Sequence, residues 1–234
     1  MDIILKPKHL TIFFVSIIIC LTLVHSIVQY FYITYGRESI FEHLVPFLDF
    51  NAESNIPTFY SSASLLFCSF LLTIITFAKK KSGECYIYWL GLVVIFLFLS
   101  IDEFVMIHDR LNATLRSKLN VSGFLHFAWI IPYGIASIIF AFVYAKFVFN
   151  LPCRTRLLFI IAGSVYISGV IGFEPIEGEF LELYGYNNVT YVALCTVEEI
   201  FEMTGVAIFI YTLMSYIDSE LKDLRISIKS SSLL

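Results

Sequence analysis

The chain has 234 residues, 59% hydrophobic and only 15% charged, with a formal net charge of −4 and a mean hydropathy of +0.84. A soluble domain carries about 45–50% apolar and about 25% charged residues, so the composition excludes an ordinary soluble domain. The apolar excess excludes a disordered chain, and an acidic balance without a basic stripe excludes a nucleic-acid partner.

A membrane-crossing helix needs about 20 mostly apolar residues. Six segments satisfy this, at 10–35, 57–78, 86–108, 124–149, 155–173 and 190–217. The sequence therefore predicts an all-α, six-helix transmembrane bundle forming one domain over 1–217, with a polar tail at 218–234. The first segment exceeds a signal-peptide core of about 7–15 residues and no small-residue cleavage site follows it, so it reads as a retained anchor. The loop after it carries Glu38, Glu42, Asp49 and Glu53. Its stretch 38–48 fits either a short interfacial helix or a plain connector. Trp89 and Trp129 lie near span ends, as membrane-belt residues do. Pro132 is expected to kink the fourth span. In the fifth, Ser164, Ser168 and Gly172 form a small-residue ridge suited to close helix packing. The last loop holds Glu174, Glu177, Glu179 and Glu182 and no basic residue. The five cysteines, Cys20, Cys68, Cys85, Cys153 and Cys195, form no C-x-x-C pair, which argues against a zinc ribbon or disulfide framework.

Loop charge orients the bundle. With both termini cytoplasmic, the inner segments hold eleven basic residues (Lys6, Lys8, Lys79, Lys80, Lys81, Lys146, Arg154, Arg156, Lys222, Arg225, Lys229) and the outer loops four (Arg37, Arg110, Arg116, Lys118). N-x-[ST] sequons begin at Asn112, Asn120 and Asn188, all in loops assigned outside. The expectation is a multi-pass protein of the cell membrane.

A charged side chain at the bilayer centre costs about 2.5–3.5 kcal/mol on insertion scales. The third span nevertheless contains Asp102 and Glu103, and the sixth contains Glu198, Glu199 and Glu202, with no lysine or arginine in mid-span to pair with them. At 1.5 Å per residue Asp102 lies roughly 9 Å and Glu198 roughly 12 Å below the outer ends of their helices, so both groups reach the same depth. Glu174 borders that level, as do His25, His108 and His126. Glu198, Glu199 and Glu202 share one helix face, and on a continuous helix Asp102 and Asp109 share another.

Carboxylates with imidazole suit a divalent metal such as Fe, Mn or Zn. The candidate ligands are Asp102, Glu103, His108, Glu198 and Glu202, with Asp109, Glu174, His25 and His126 around them. Glu199 is the candidate general base if a metal-activated water acts on a lipid or other apolar substrate, as a hydrolase or oxidase. Two further readings stay open: a proton- or cation-coupled transporter or channel, and a non-catalytic membrane partner subunit whose acids hydrogen-bond to Ser100, Tyr191, Thr196 or Thr204. Hydrocarbon inner halves favour a dead-end pocket over a through-path. Dinucleotide, P-loop and serine-hydrolase motifs are missing.

The stretch 98–109 reads Phe-Leu-Ser-Ile-Asp-Glu-Phe-Val-Met-Ile-His-Asp, and 198–205 reads Glu-Glu-Ile-Phe-Glu-Met-Thr-Gly. Together they resemble an uncharacterised group of microbial multipass membrane proteins, in which a Leu-Asp-Glu…His-Glu helix precedes a Glu-Glu…Glu-Met…Gly helix. Ile101 and Asp109 stand where that group more commonly has Leu and Glu. The resemblance implies that these two helices pair, and it implies no activity. Ceramidase-like and adiponectin-receptor-like hydrolases also set a metal among helices, but with more histidines than this chain offers.

Overall fold

The computed structural model describes residues 6–36, 41–186 and 188–221. Most of the expected polar tail and residues 37–40 of the first loop lie outside the described residues. The described chain is all helical. Its long helices are α1 (Pro7–Tyr35), α3 (Ile56–Lys81), α4 (Ile87–Val105), α6 (Ile130–Phe149), the continuous rod Cys153–Tyr184 and α9 (Val189–Glu220). That rod comprises α7 (Cys153–Ile167), a π-helical turn at Ser168–Phe173 and α8 (Glu174–Tyr184). Two short helices, α2 (Val45–Leu48) and α5 (Ile107–Leu119), complete the set. Six helices are long and apolar enough to cross a bilayer, and side chains such as Phe13, Phe70, Phe77 and Phe142 stand exposed on their outer faces. This is a multi-pass membrane protein.

The last helix is the hub, packed against α1, α3 and α7. In α1, which is apolar all round, only the stripe Ile18, Leu21, His25 and Val28 (with Gln29) is buried, at the spacing of one helix face. The α3–α4 pair is clamped by serines: Ser62 Oγ donates to the Ser100 carbonyl and Ser100 Oγ to the Ser62 carbonyl, each at 2.8 Å, and Ser69 Oγ donates to Val93 O at 3.0 Å. Small hydroxyl residues allow this close approach while pairing their own hydroxyls with backbone carbonyls of the facing helix.

The fifth span meets the sixth through glycines, but not through the predicted ridge. Ser164, Ser168 and Gly172 are exposed. Gly169 and Gly205 make the contact instead: a Cβ on Gly169 would lie 3.0 Å from Glu198 O, and one on Gly205 would lie 2.8 Å from Tyr166 N.

Three boundaries differ from the sequence reading. The third span stops at Val105, where Met106 takes a left-handed conformation (φ 58°) and α5 starts anew, so His108 and Asp109 belong to another helix. The heptad argument linking Asp102 to Asp109 therefore does not cross the break. The fourth span starts at Ile130 rather than 124, placing Pro132 in its first turn, where a proline needs no kink. The fifth span continues through the π turn into α8, so Glu174 and Glu177 are helical and not in a loop. The tryptophans also depart from the belt expectation. Trp89 is 2% exposed, packed on Phe147, Phe159 and Tyr216, and Trp129 is 5% exposed.

Candidate functional site

The acidic groups collect at one end of the bundle, where α8, the α4–α5 junction and the 49–55 segment meet the first half of α9. The segment from α2 to α3 is tied down locally. Asn55 caps α3 by accepting from Thr58 N at 3.1 Å, while its amide donates to the Asp49 and Ala52 carbonyls. The His25 ring stacks on Phe50 with centroids 4.3 Å apart, and Phe50 N donates to its Nδ1 at 3.1 Å. His25 Nε2 lies 3.0 Å from Thr196 Oγ, whose own proton goes to the Val192 carbonyl, so Nε2 is the donor. His25 thus serves to hold the loop to α1 and α9, and its ring is committed to that task.

Asp102 is also committed. Its Oδ1 accepts from His108 N at 2.9 Å, capping α5 from the end of α4, and its Oδ2 accepts from Tyr133 OH at 2.9 Å. An acid at a helix N-terminus is favourable there, which explains a carboxylate beside the break. The same Oδ2 lies 3.5 Å from His108 Nδ1. His108 Nε2 then faces Glu53 Oε1 at 3.9 Å and Asp109 Oδ1 at 4.0 Å. Glu53, His108 and Asp109 thereby form a group with ligand atoms within 4.8 Å of one another. Burial alone would discharge His108, but its bond to Asp102 and the charges of Asp102, Asp109 and Glu53 outweigh it, pushing its pKa up to about 9. Burial raises the Glu53 carboxyl above its ordinary value, against the opposing field of His108 and with Asp109 adding to the rise. Two residues here hold strained positive φ: Ser54 at 60° and Met106 at 58°, with Ser54 Oγ 3.8 Å from Met106 Sδ.

A second group lies between α8 and α9. Glu174, Glu177 and Glu198 bring carboxylate oxygens within 4.8 Å of one another. Glu174 and Glu198 face each other at hydrogen-bonding range. Trp129 Nε1 donates to Glu174 Oε1 at 3.0 Å. Glu177, only 3% exposed, receives the weakly donating thiol of Cys195 on Oε2 at 3.2 Å and lies at hydrogen-bonding range of Glu198, while its buried Oε1 has no donor among the described residues.

Glu199 lies in the field of Glu53, which belongs to the first group, and of Glu177 and Glu174, which belong to the second. Glu103 and Glu202 lie in each other's field and in that of Glu199. Gly169, lacking a side chain, lets Glu202 pass. His126 belongs elsewhere: its Nδ1 bonds Glu182 Oε1 at 2.8 Å, and Arg116 Nη2 donates to the same oxygen at 2.6 Å. Among the described residues, the ion pairs made by Glu53, Asp102 and Asp109 around the first group are with His108.

Sequence reasoning missed Glu53 and Glu177 as members of the site, and with them Tyr133, Trp129 and Cys195. Glu53 and Glu177 were visible as loop acids, but a loop assignment gives neither burial nor direction. A pocket of about 340 Å³ opens beside Glu53, lined by Ser54, Asn55, Thr58, Phe59 and Phe104. Thr58 Oγ donates to Glu53 Oε2 at 3.2 Å, and Phe59 and Phe104 are well exposed on the outer faces of α3 and α4.

No curated protein and no solved structure matches the chain. Residues 12–217 match the family model described as "Domain of unknown function (DUF8692)", and the chain belongs to that family.

Proposed function

We propose that this membrane protein binds a divalent cation (Fe, Mn or Zn) in its acidic chamber, on the extracytoplasmic side, for chemistry on a lipid or other apolar substrate. One observation carries the reading: three carboxylates, Glu174, Glu177 and Glu198, converge between two helices, and one buried oxygen of Glu177 has no donor among the described residues. Converged carboxylates away from water need a positive guest, either a proton or a metal ion. Trp129 holds Glu174 from behind, as outer partners of metal ligands do. The excess of basic residues in the loops of the opposite end supports the orientation. The pocket between α3 and α4, flanked by the outward-facing Phe59 and Phe104, supports sideways entry from lipid. A bound divalent metal would supply an activated water, with Glu199, which lies in the field of both groups, as the base that takes its proton.

Elemental analysis of purified protein tests this. The expected result is about one or two equivalents of metal, lost in a Glu177→Gln/Glu198→Gln variant that still folds. Metal-free protein whose carboxyl vibrations respond to pH would instead favour proton coupling, a reading that the facing Glu174 and Glu198 carboxyls also support. That reading needs a polar path through the other half of the bundle. There Leu72, Ile75, Ile210 and Leu213 are fully buried, and the hydroxyls of Thr76 and Thr212 are spent on their own helices.

A further inference from the structure

One wall of the acidic chamber is a helix without a buried residue, α5. Its first turn carries His108 and Asp109, and His108 faces Glu53. The His108 ring also packs on Trp129, with centroids 4.9 Å apart, and Trp129 donates to Glu174. This turn therefore belongs to the first acidic group and reaches the second through one indole ring. Left-handed residues bound the helix, Met106 (φ 58°) before it and Asn120 (φ 51°) after it. Element-terminal positions of this kind absorb the dihedral change when a segment swings. Neither residue is glycine, so each sheds strain on leaving that conformation.

Between these points the attachments of α5 are polar. Asn112 Oδ1 accepts from Ala128 N at 2.7 Å. Near the far end, Arg116 Nη2 donates to Glu182 Oε1 at 2.6 Å, and the same oxygen accepts from His126 Nδ1 at 2.8 Å. Arg116 Nη1 lies 3.2 Å from His126 Nε2. A guanidinium only donates, so Nε2 accepts and the imidazole proton sits on Nδ1. Gly123 N completes the set on Glu182 Oε2 at 2.8 Å. The 123–126 turn is itself seated on α8, since a Cβ at Gly178 would lie 3.0 Å from Gly123 O and 2.8 Å from His126 Cβ. Glu182 thus ties α5 to a packed platform. The Arg116 and Glu182 side chains are 41% and 25% exposed, so water and salt compete for this tie as they do not for the packed helices.

We propose that α5 is a hinged cover on the acidic chamber, latched by Glu182, and that its opening sets the rate at which a cation enters from the outer side. The control of entry rests on the reading that the chamber binds a cation; the hinged cover does not. Latched, α5 holds His108 and Asp109 against Glu53. Released at Arg116, it turns about Met106 and Asn120 and uncovers Glu53 and Trp129. Glu174, Glu177 and Glu198 lie on α8 and α9, so opening changes entry and exit together and leaves affinity in place.

The test uses purified full-length protein in detergent, stripped of metal. Hydrogen–deuterium exchange reads the cover, and stopped-flow uptake of zinc against a fluorescent zinc indicator reads the entry. In Glu182→Ala the amides of residues 107–119 exchange faster, while those of α3 and α9 keep the wild-type rate. Zinc uptake and release both quicken about two- to fivefold at unchanged affinity, the span that an exposed ion-pair network contributes. Arg116→Ala cuts the latch from the other side and gives the same result, which decides the matter should Glu182→Ala misfold. Raising the ionic strength speeds uptake in the wild type and not in either variant. Unchanged exchange in α5, or uptake that stays at the wild-type rate, overturns the cover. So does faster release alone with a matching loss of affinity, which would make the latch a structural support of the site. Failure of the wild type to bind zinc, with α5 still released in both variants, overturns the cation reading and leaves the hinged cover standing.

Discussion

At the end of the bundle that carries Lys79, Lys80 and Lys81, the core is sealed hydrocarbon. Leu72, Ile75, Leu92, Ile210 and Leu213 are at most 1% exposed, and Phe96 stacks on Phe209 with centroids 4.6 Å apart. At the other end the same helix, α9, buries Glu198 at 9% exposure and sets Glu199 and Glu202 among further acids. One helix thus runs through two solvents, and only the first of them is satisfied by the chain's own atoms. In the sealed half, packing and dispersion hold the helices together. In the acidic half, buried carboxylates stand close together, and on the proposed reading a positive guest offsets their repulsion.

The sharpest way to break this contrast is to exchange the two chemistries. Ile210→Glu places an unpartnered carboxylate in the sealed half and is expected to cost about 3 kcal/mol, seen as a large loss of Tm or failed insertion. Glu202→Leu, in metal-stripped protein, removes one acid from a field of acids and is expected to leave Tm unchanged or raise it. Both are read by thermal melting in detergent. Equal destabilisation by the two substitutions would mean that the acidic half is as well satisfied as the other.

That contrast is partly legible in the sequence alone. Hydropathy located the six helices because lipid demands long apolar runs, and the same runs made Asp102, Glu198 and Glu202 conspicuous. What it could not supply was azimuth. His25 and His126 sit at the right depth, yet one holds the 48–50 turn and the other meets Glu182 and Arg116. Asp102 reads as a ligand when the helix is taken to run through His108. The left-handed turn at Met106, a residue with no intrinsic preference for it, makes Asp102 a helix cap instead. With the fifth span ended at 173, Glu174 stands only at the border of the site and Glu177 in a loop, while the π turn carries the rod onward and makes both helical. Cys195, in an apolar run, gives no sequence signal at all.

An intermediate effect comes from the seam that brings the two acidic helices together. A Cβ at Gly205 would press on Tyr166 and on the Ala162 carbonyl, whereas at Gly163, on the same pair of spans, it meets nothing within 4 Å. Gly205→Ala is expected to destabilise by about 1–3 kcal/mol through overpacking, by pressing the fifth span away from α9. Gly163→Ala should stabilise by roughly 0.5–1 kcal/mol, because it only removes backbone freedom from a helix. Melting curves of the two variants should therefore move in opposite directions, and a common direction would show that the Gly205 contact relaxes freely.

The smallest effect concerns a carboxylate that does have its cation, out in water. Glu84 Oε2 receives Lys79 Nζ at 2.7 Å and its Oε1 receives Ser82 Oγ at 2.9 Å. The bond from Lys79, then that from Ser82, lowers its pKa below the ordinary carboxylate value. A lowered acid contributes stability above its usual pKa and loses it as pH falls through the lowered one, so the contribution belongs to the acid side only. Exposed pairs of this kind add little, since water and salt screen them and two long side chains must be held still. Glu84→Gln should leave Tm at neutral pH within error of wild type and flatten only the acid edge of the stability profile. A neutral-pH loss matching that of Gly205→Ala would mean that paired charge outside the bilayer rivals helix packing within it, and the division between the two halves would have to be redrawn.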